Sequence, residues 1–184
     1  MAAILGMPGE AVAAVCREAG QGEVCEVANF NSPEQMVISG HAAAVERAAT
    51  LASARGAKKA KILPVSAPFH CSLMKPAEDR LAADLAALTL RQPAVPVVSN
   101  VDAALLSDAA SGRDALIRQV TGSVKWDQSI RLLIARGVRI FVEVGPGRVL
   151  WGLMRQIDKS QTALYVGDST SLEKALAYFG SVSA

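Results

Sequence analysis

The stretch Pro64-Val-Ser-Ala-Pro-Phe-His-Cys-Ser-Leu-Met-Lys-Pro76 places His70 on a short loop between an extended apolar run and a helix. The chain has two histidines, so acyl-transfer chemistry here would place its general base on one of them. A neutral imidazole near pH 7 can take a hydroxyl or thiol proton and return it to a leaving thiolate. The serine that such a base would serve is not legible: no Gly-x-Ser-x-Gly turn occurs in the 184 residues. The plain alternative for His70 is a ring satisfied by a backbone group at a helix end. Cys71 adjoins it, but neighbours on a loop point apart, and a thiol nucleophile is not expected there.

The elements around this loop fall into two rhythms. Residues 1–64 read as a strand at Ala2–Gly6, a helix over Glu10–Ala19, extended runs at Glu23–Phe30 and Gln35–Ser39, a helix over Ala42–Arg55 and a strand at Lys59–Val65. Strand-helix-strand-strand-helix-strand is the ferredoxin-like, or split βαβ, order. Beyond it the sequence predicts helices at Leu73–Leu88, Arg113–Val120, Trp126–Arg136, Arg148–Ile157 and Ser171–Tyr178. Strands are predicted at Pro96–Asn100, Arg139–Val144 and Ala163–Val166. Strands alternating with helices imply a parallel sheet covered by helices. The expected fold class is therefore α/β, with a ferredoxin-like subdomain over 1–64 and the end of a larger parallel domain over 65–184.

Composition narrows the function classes. An apolar share of 51% supports a real core, and a net charge of +2 argues against a nucleic-acid partner. No apolar run approaches the ~18–20 residues of a membrane span. Three cysteines without metal spacing suit a reducing compartment, and the first residues lack a signal-peptide pattern, so the expected location is cytoplasmic.

Five segments together carry a family resemblance: Asn29-Phe-Asn-Ser-Pro33, Val37-Ile-Ser-Gly-His41, Pro68-Phe-His70 with Leu73-Met-Lys-Pro76, Val97-Val-Ser-Asn100, and Glu143-Val-Gly-Pro-Gly147. In this order they resemble the malonyl-CoA:acyl-carrier-protein transacylases of fatty-acid synthesis. The resemblance implies a hydrolase-like α/β domain with a ferredoxin-like insert, and a malonyl group passed through an acyl-serine to the phosphopantetheine thiol of acyl carrier protein. No cofactor beyond those substrates is expected, and no metal. It also implies that the nucleophile-bearing N-terminal part of the enzyme lies outside this chain, so that the isolated chain is inactive.

Carried over residue by residue, the resemblance makes His70 the base and the backbone carbonyl of Gln119 the acceptor on its second ring nitrogen. Asn100 is a neighbour in the same role. Phe69 would limit the substituent at the acyl C2, a discrimination of ~1–3 kcal/mol, and Asn31 is a secondary substrate-binding residue. Each has a plain reading as a helix-end, core or turn residue. Asp102 is expected to be a structural cap, His41 to pack at a helix start, and Gly145-Pro-Gly147 to be a tight strand-to-helix turn. The basic residues Arg55, Lys58, Lys59, Lys61, Lys75 and Arg80 would attract an acidic carrier protein or CoA phosphates. Two other functions fit the same residues: a non-catalytic carrier-binding module, and an acyltransferase unit of a polyketide synthase.

Overall fold

Alternation and helical spacing account for the first elements of the computed structural model, which describes residues 1–182. In β1 (Ala2–Leu5) the side chains alternate, and Ala2 and Ile4 are fully buried. In α1 (Gly9–Gly20) Val12, Val15, Cys16 and Ala19 fall on one buried stripe, and Gln21 closes the helix in the left-handed region. Strands β2 (Cys25–Ser32) and β3 (Gln35–Gly40) form a hairpin across Pro33-Glu34, with two register shifts in β2. Helix α2 (Ala42–Ala54) buries Val45, Ala48 and Ala52, and β4 (Lys59–Ile62) returns beside β1.

The sheet order is β2-β3-β1-β4, with every pairing antiparallel. Its core joins Ile4 and Ile38 to Val12, Val15 and Val45 of the two helices, all at 2% exposure or less. Gly40 is required where β3 ends. Its φ is +154°, and a Cβ there would lie 2.0 Å from the Val24 carbonyl oxygen. The strand-helix-strand-strand-helix-strand order read from residues 1–64 is the order observed. β4 stops at Ile62, short of the expected Val65, because the chain turns at Pro64 and the Val65 N–H bonds back to the Leu63 carbonyl at 2.9 Å.

Later boundaries move more. The helix expected from Leu73 opens as a 3-10 turn, Ser72–Met74, before α3 (Lys75–Ala86), whose first turn holds Pro76. The strand expected over Pro96–Asn100 is β5 (Val98–Ser99), paired antiparallel with β6 (Ala104–Leu105). This corrects the parallel expectation for that segment: Ala103, at φ +52°, turns the chain straight back on itself. Helix α4 (Ala109–Gln119) starts four residues before the expected Arg113. Asp108 and Ser111 form a reciprocal capping box there.

The chain separates into two compact units, Met1–Ser129 and Ile130–Ala184. Helix α5 (Trp126–Ala135) spans the division. In the second unit β7 (Ile140–Val144) runs parallel to β8 (Thr162–Val166), with α6 (Val149–Ile157) between them and α7 (Ser169–Val182) after. Among the described residues no helix is long and apolar enough to cross a membrane. Cys16, Cys25 and Cys71 are free thiols.

Candidate functional site

His70 stands in the left-handed region at φ +58°, a conformation uncommon for a residue with a Cβ. Its loop is held from both sides. Cys71 is fully buried, and its thiol donates to the Pro68 carbonyl at 3.1 Å. The Ser72 hydroxyl and N–H donate to the Glu26 carboxylate of β2 at 2.7 and 3.1 Å. A buried, engaged Cys71 sulfur agrees with reading it as structural.

The His70 Nδ1 lies 2.9 Å from the carbonyl oxygen of Gln119, 49 residues along the chain. A carbonyl can only accept, so Nδ1 carries the proton and the neutral ring keeps its lone pair on Nε2. Gln119 is the last residue of α4, where carbonyls have no partner within the helix and are available to others.

The turn after Gln119 is closely fixed. The Gln119 amide donates to the Gly122 carbonyl at 2.9 Å, and the Gly122 N–H to the Arg118 carbonyl at 2.8 Å. A Cβ on Gly122 would lie 2.6 Å from Val101 Cγ2 and 2.7 Å from the Arg118 oxygen, so no other residue fits without a shift. Ser123 donates to the Val27 carbonyl at 2.6 Å. Val124 exchanges bonds of 2.8 Å with Ala28 and Phe30 along the edge of β2. Both partners of the His70–Gln119 bond are thereby tied to one strand.

The other expected site residues occupy separate places. Asn100 accepts from the Lys125 N–H through its carbonyl at 2.9 Å, and its side chain accepts from Ser129 at 3.4 Å. It is not hydrogen-bonded to His70 among the described residues. Asn100 and Gln119 share the wall of a hollow of about 240 Å³ between β5 and α4, with Val98, Leu106 and Ala115. Phe69 is 42% exposed, and Asn31 is half-buried in β2 with no hydrogen bond to His70 among the described residues.

Asp102 is not a cap. The Arg118 guanidinium grips it with two bonds of 2.7 and 2.8 Å and holds its carboxyl below the ordinary range. His41 precedes α2, and its Nδ1 accepts from the Val24 N–H at 2.9 Å, a packing role. After Gly145-Pro-Gly147 the Glu143 carboxylate takes the Leu150 and Trp151 N–H groups at 3.2 and 2.8 Å. Those helix-start donors are spent on the chain's own carboxylate, which leaves the turn a packing device. Lys58 pairs with Glu34, and Arg55 with Glu18, while Lys59 and Lys61 are exposed on β4.

One residue escaped the sequence reading. Glu78 of α3 is buried at 9% exposure, accepts from Lys75 at 2.6 Å, and accepts the Thr121 hydroxyl. The Lys75 ammonium, then the Thr121 hydroxyl, holds its carboxyl below the usual value. Its i,i+3 relation to Lys75 was visible in sequence; Thr121, 43 residues away, was not. No group of three or more His, Cys, Asp or Glu among the described residues could hold a metal ion.

Residues 4–173 match the acyl transferase domain family. A malonyl CoA-acyl carrier protein transacylase of Salmonella typhimurium is 48% identical over 176 residues, which cover 96% of this chain and 57% of that protein. The Bacillus subtilis protein of the same name is 43% identical over 177 residues. The crystal structure of an acyl-carrier-protein S-malonyltransferase from Burkholderia pseudomallei superimposes with a TM-score of 0.93 at 46% identity, over 96% of this chain and 57% of that one. A malonyl-transacylase in complex with a type II PKS acyl-carrier protein gives 0.94 at 42% identity. The chain thus spans a little over half the length of the relatives it matches.

Proposed function

We propose that this chain, which belongs to the acyl transferase domain family and is homologous to malonyl-CoA:acyl-carrier-protein transacylases, is the base-bearing part of such an enzyme. In this reading the four-stranded sheet is a ferredoxin-like subdomain over residues 1–64. The parallel pair β7–β8 is the end of a hydrolase-like sheet within residues 65–184. The remaining length of the relatives supplies the serine.

The observation that carries the reading is the 2.9 Å bond between His70 Nδ1 and the Gln119 carbonyl. With Nδ1–H committed, Nε2 is the atom that exchanges protons. Nε2 takes the serine proton as the hydroxyl attacks the malonyl thioester carbonyl; the C–S bond breaks, and the CoA thiolate leaves with that proton. The phosphopantetheine thiol of acyl carrier protein then reverses the sequence, giving its proton to Nε2 and regenerating the serine. A backbone carbonyl in place of a carboxylate fixes the tautomer without adding a charge. Asn100 lines the hollow beside Gln119, and its carbonyl accepts the Lys125 N–H in place of a bond to the ring. Phe69 restricts the C2 substituent, and Asn31 binds substrate amides. The reaction needs no cofactor, and its cytoplasmic setting follows from its substrates.

The test joins the chain to the N-terminal portion of the Salmonella typhimurium relative and measures malonyl transfer from labelled malonyl-CoA. The joined protein transfers label to carrier protein, and His70→Ala lowers kcat by about 10²–10⁴-fold. The 184-residue chain alone takes up none. Undiminished transfer by the His70→Ala protein refutes the base assignment, and covalent label on the chain alone refutes the division of labour.

A further inference from the structure

We infer that Glu78 and Thr121 form a positioning clamp that sets the distance between the His70 ring and the Gln119 carbonyl. The inference rests on the reading of His70 as the base. His70 and Glu78 belong to the loop and helix of one segment; Gln119 and Thr121 belong to the helix end and turn of the other. Two side-chain links therefore join these segments at the site, His70 Nδ1 to Gln119 and Thr121 to Glu78; farther along, Arg113 of α4 donates to the Leu88 carbonyl beyond α3 at 2.7 Å.

The burial of Glu78 argues for a purpose beyond a surface ion pair. Lys75 is 59% exposed and also holds Asp79 at 2.9 Å, so its charge is met in solvent whether or not Glu78 is present. An i,i+3 pair on a helix is stable fully exposed. Glu78 is instead drawn in, and burying a carboxylate is unfavourable unless its oxygens are satisfied. Oε1 receives Lys75, and Oε2 receives Thr121. Both segments are also fixed to β2, through Ser72 to Glu26 and Ser123 to Val27. The His70–Gln119 bond thus sits among three further side-chain ties, of which Thr121–Glu78 joins the loop-and-helix segment directly to the turn after Gln119. Glu78 and Thr121 are positioning residues; neither needs to touch substrate.

The clamp can be read without turnover, because the chain holds only two histidines. Long-range proton–nitrogen spectra of the 15N-histidine-labelled 184-residue chain report the tautomer of each. The wild-type His70 is held as Nδ1–H. Thr121→Val, which keeps the shape and removes the hydroxyl, shifts His70 toward mixed tautomers while His41 is unchanged, and Thr121→Ser restores the wild-type spectrum. Glu78→Leu gives the same shift, so either variant suffices if the other does not fold. Combining the two adds nothing to the single effects. A wild-type His70 spectrum in Thr121→Val or Glu78→Leu overturns the clamp.

In the joined protein, Thr121→Val lowers kcat about 10-fold with KM for malonyl-CoA changed less than twofold, and Thr121→Ser recovers it. An equal rise in KM with unchanged kcat also overturns the inference. Full activity of the His70→Ala protein together with a tautomer shift in Thr121→Val would instead leave the clamp standing and remove the catalytic reading.

Discussion

Two of the three sheets among the described residues use the same apolar residue types to opposite ends. In the four-stranded sheet Ile4 and Ile38 are fully buried, roofed by α1 and α2. In the parallel pair β7–β8 the strand Ile140–Val144 is no less apolar, yet Val142 is 39% and Val144 80% exposed. The first sheet closes its own core within about sixty residues. The second presents a strand built for burial to its surroundings. Apolar sequence therefore specifies a capacity to be buried, and topology decides where that capacity is satisfied.

The largest expected effect tests this contrast directly. Ile38→Ala leaves a cavity in a closed core and costs about 2–5 kcal/mol, whereas Val144→Ala stays within about 0.5 kcal/mol. Urea unfolding of each variant measures both. Equal costs would show that β7 contributes a core of its own and would erase the distinction.

Glycines sharpen the comparison at the next level. Gly40→Ala drives a Cβ into the Val24 carbonyl and adds backbone strain. Gly145→Ala, at φ +138° with no heavy atom within 4 Å of the added carbon, bears strain alone, about 1–3 kcal/mol. The thermal midpoint of Gly40→Ala falls further than that of Gly145→Ala; the reverse order would contradict the tight β2–β3 junction.

The smallest effect concerns charge. Arg118 lowers the folded-state pKa of Asp102, so the stabilisation is complete above the unfolded value near ~3.9 and is lost as pH falls through the lower folded value. The pair is partly exposed, and Asp102→Asn removes about 0.2–1 kcal/mol at pH 7 and almost nothing below the folded pKa. Hydrogen exchange in acid then loosens α4 before β1 or β3, whose protection rests on apolar burial. Simultaneous loss in α4 and β1 would count against that division.

The legibility of each element follows from where its determinants lie. β1, α1 and α2 carry their buried stripes in consecutive residues, and α5 was read within a residue of its end. The start of α4 was missed because its capping box uses Ser111 where Glu or Gln is the familiar signal. The β5–β6 hairpin has two residues per strand, too few for periodicity to register. The contact of His70 with the Gln119 carbonyl is one the family resemblance implies, whereas nothing in the neighbouring residues of α3 signals that Glu78 is buried.

The sequence by itself determined the local elements, the position of His70 on its loop and the family to which those motifs belong, since each is written in neighbouring residues. Only the tertiary structure decided which ring nitrogen holds the proton, that Arg118 claims Asp102, and that Glu78 is drawn inward to Thr121. Those are contacts between groups 16 to 49 residues apart. They exist because the packed backbone brings distant donors and acceptors to hydrogen-bonding range, and no local propensity encodes that return.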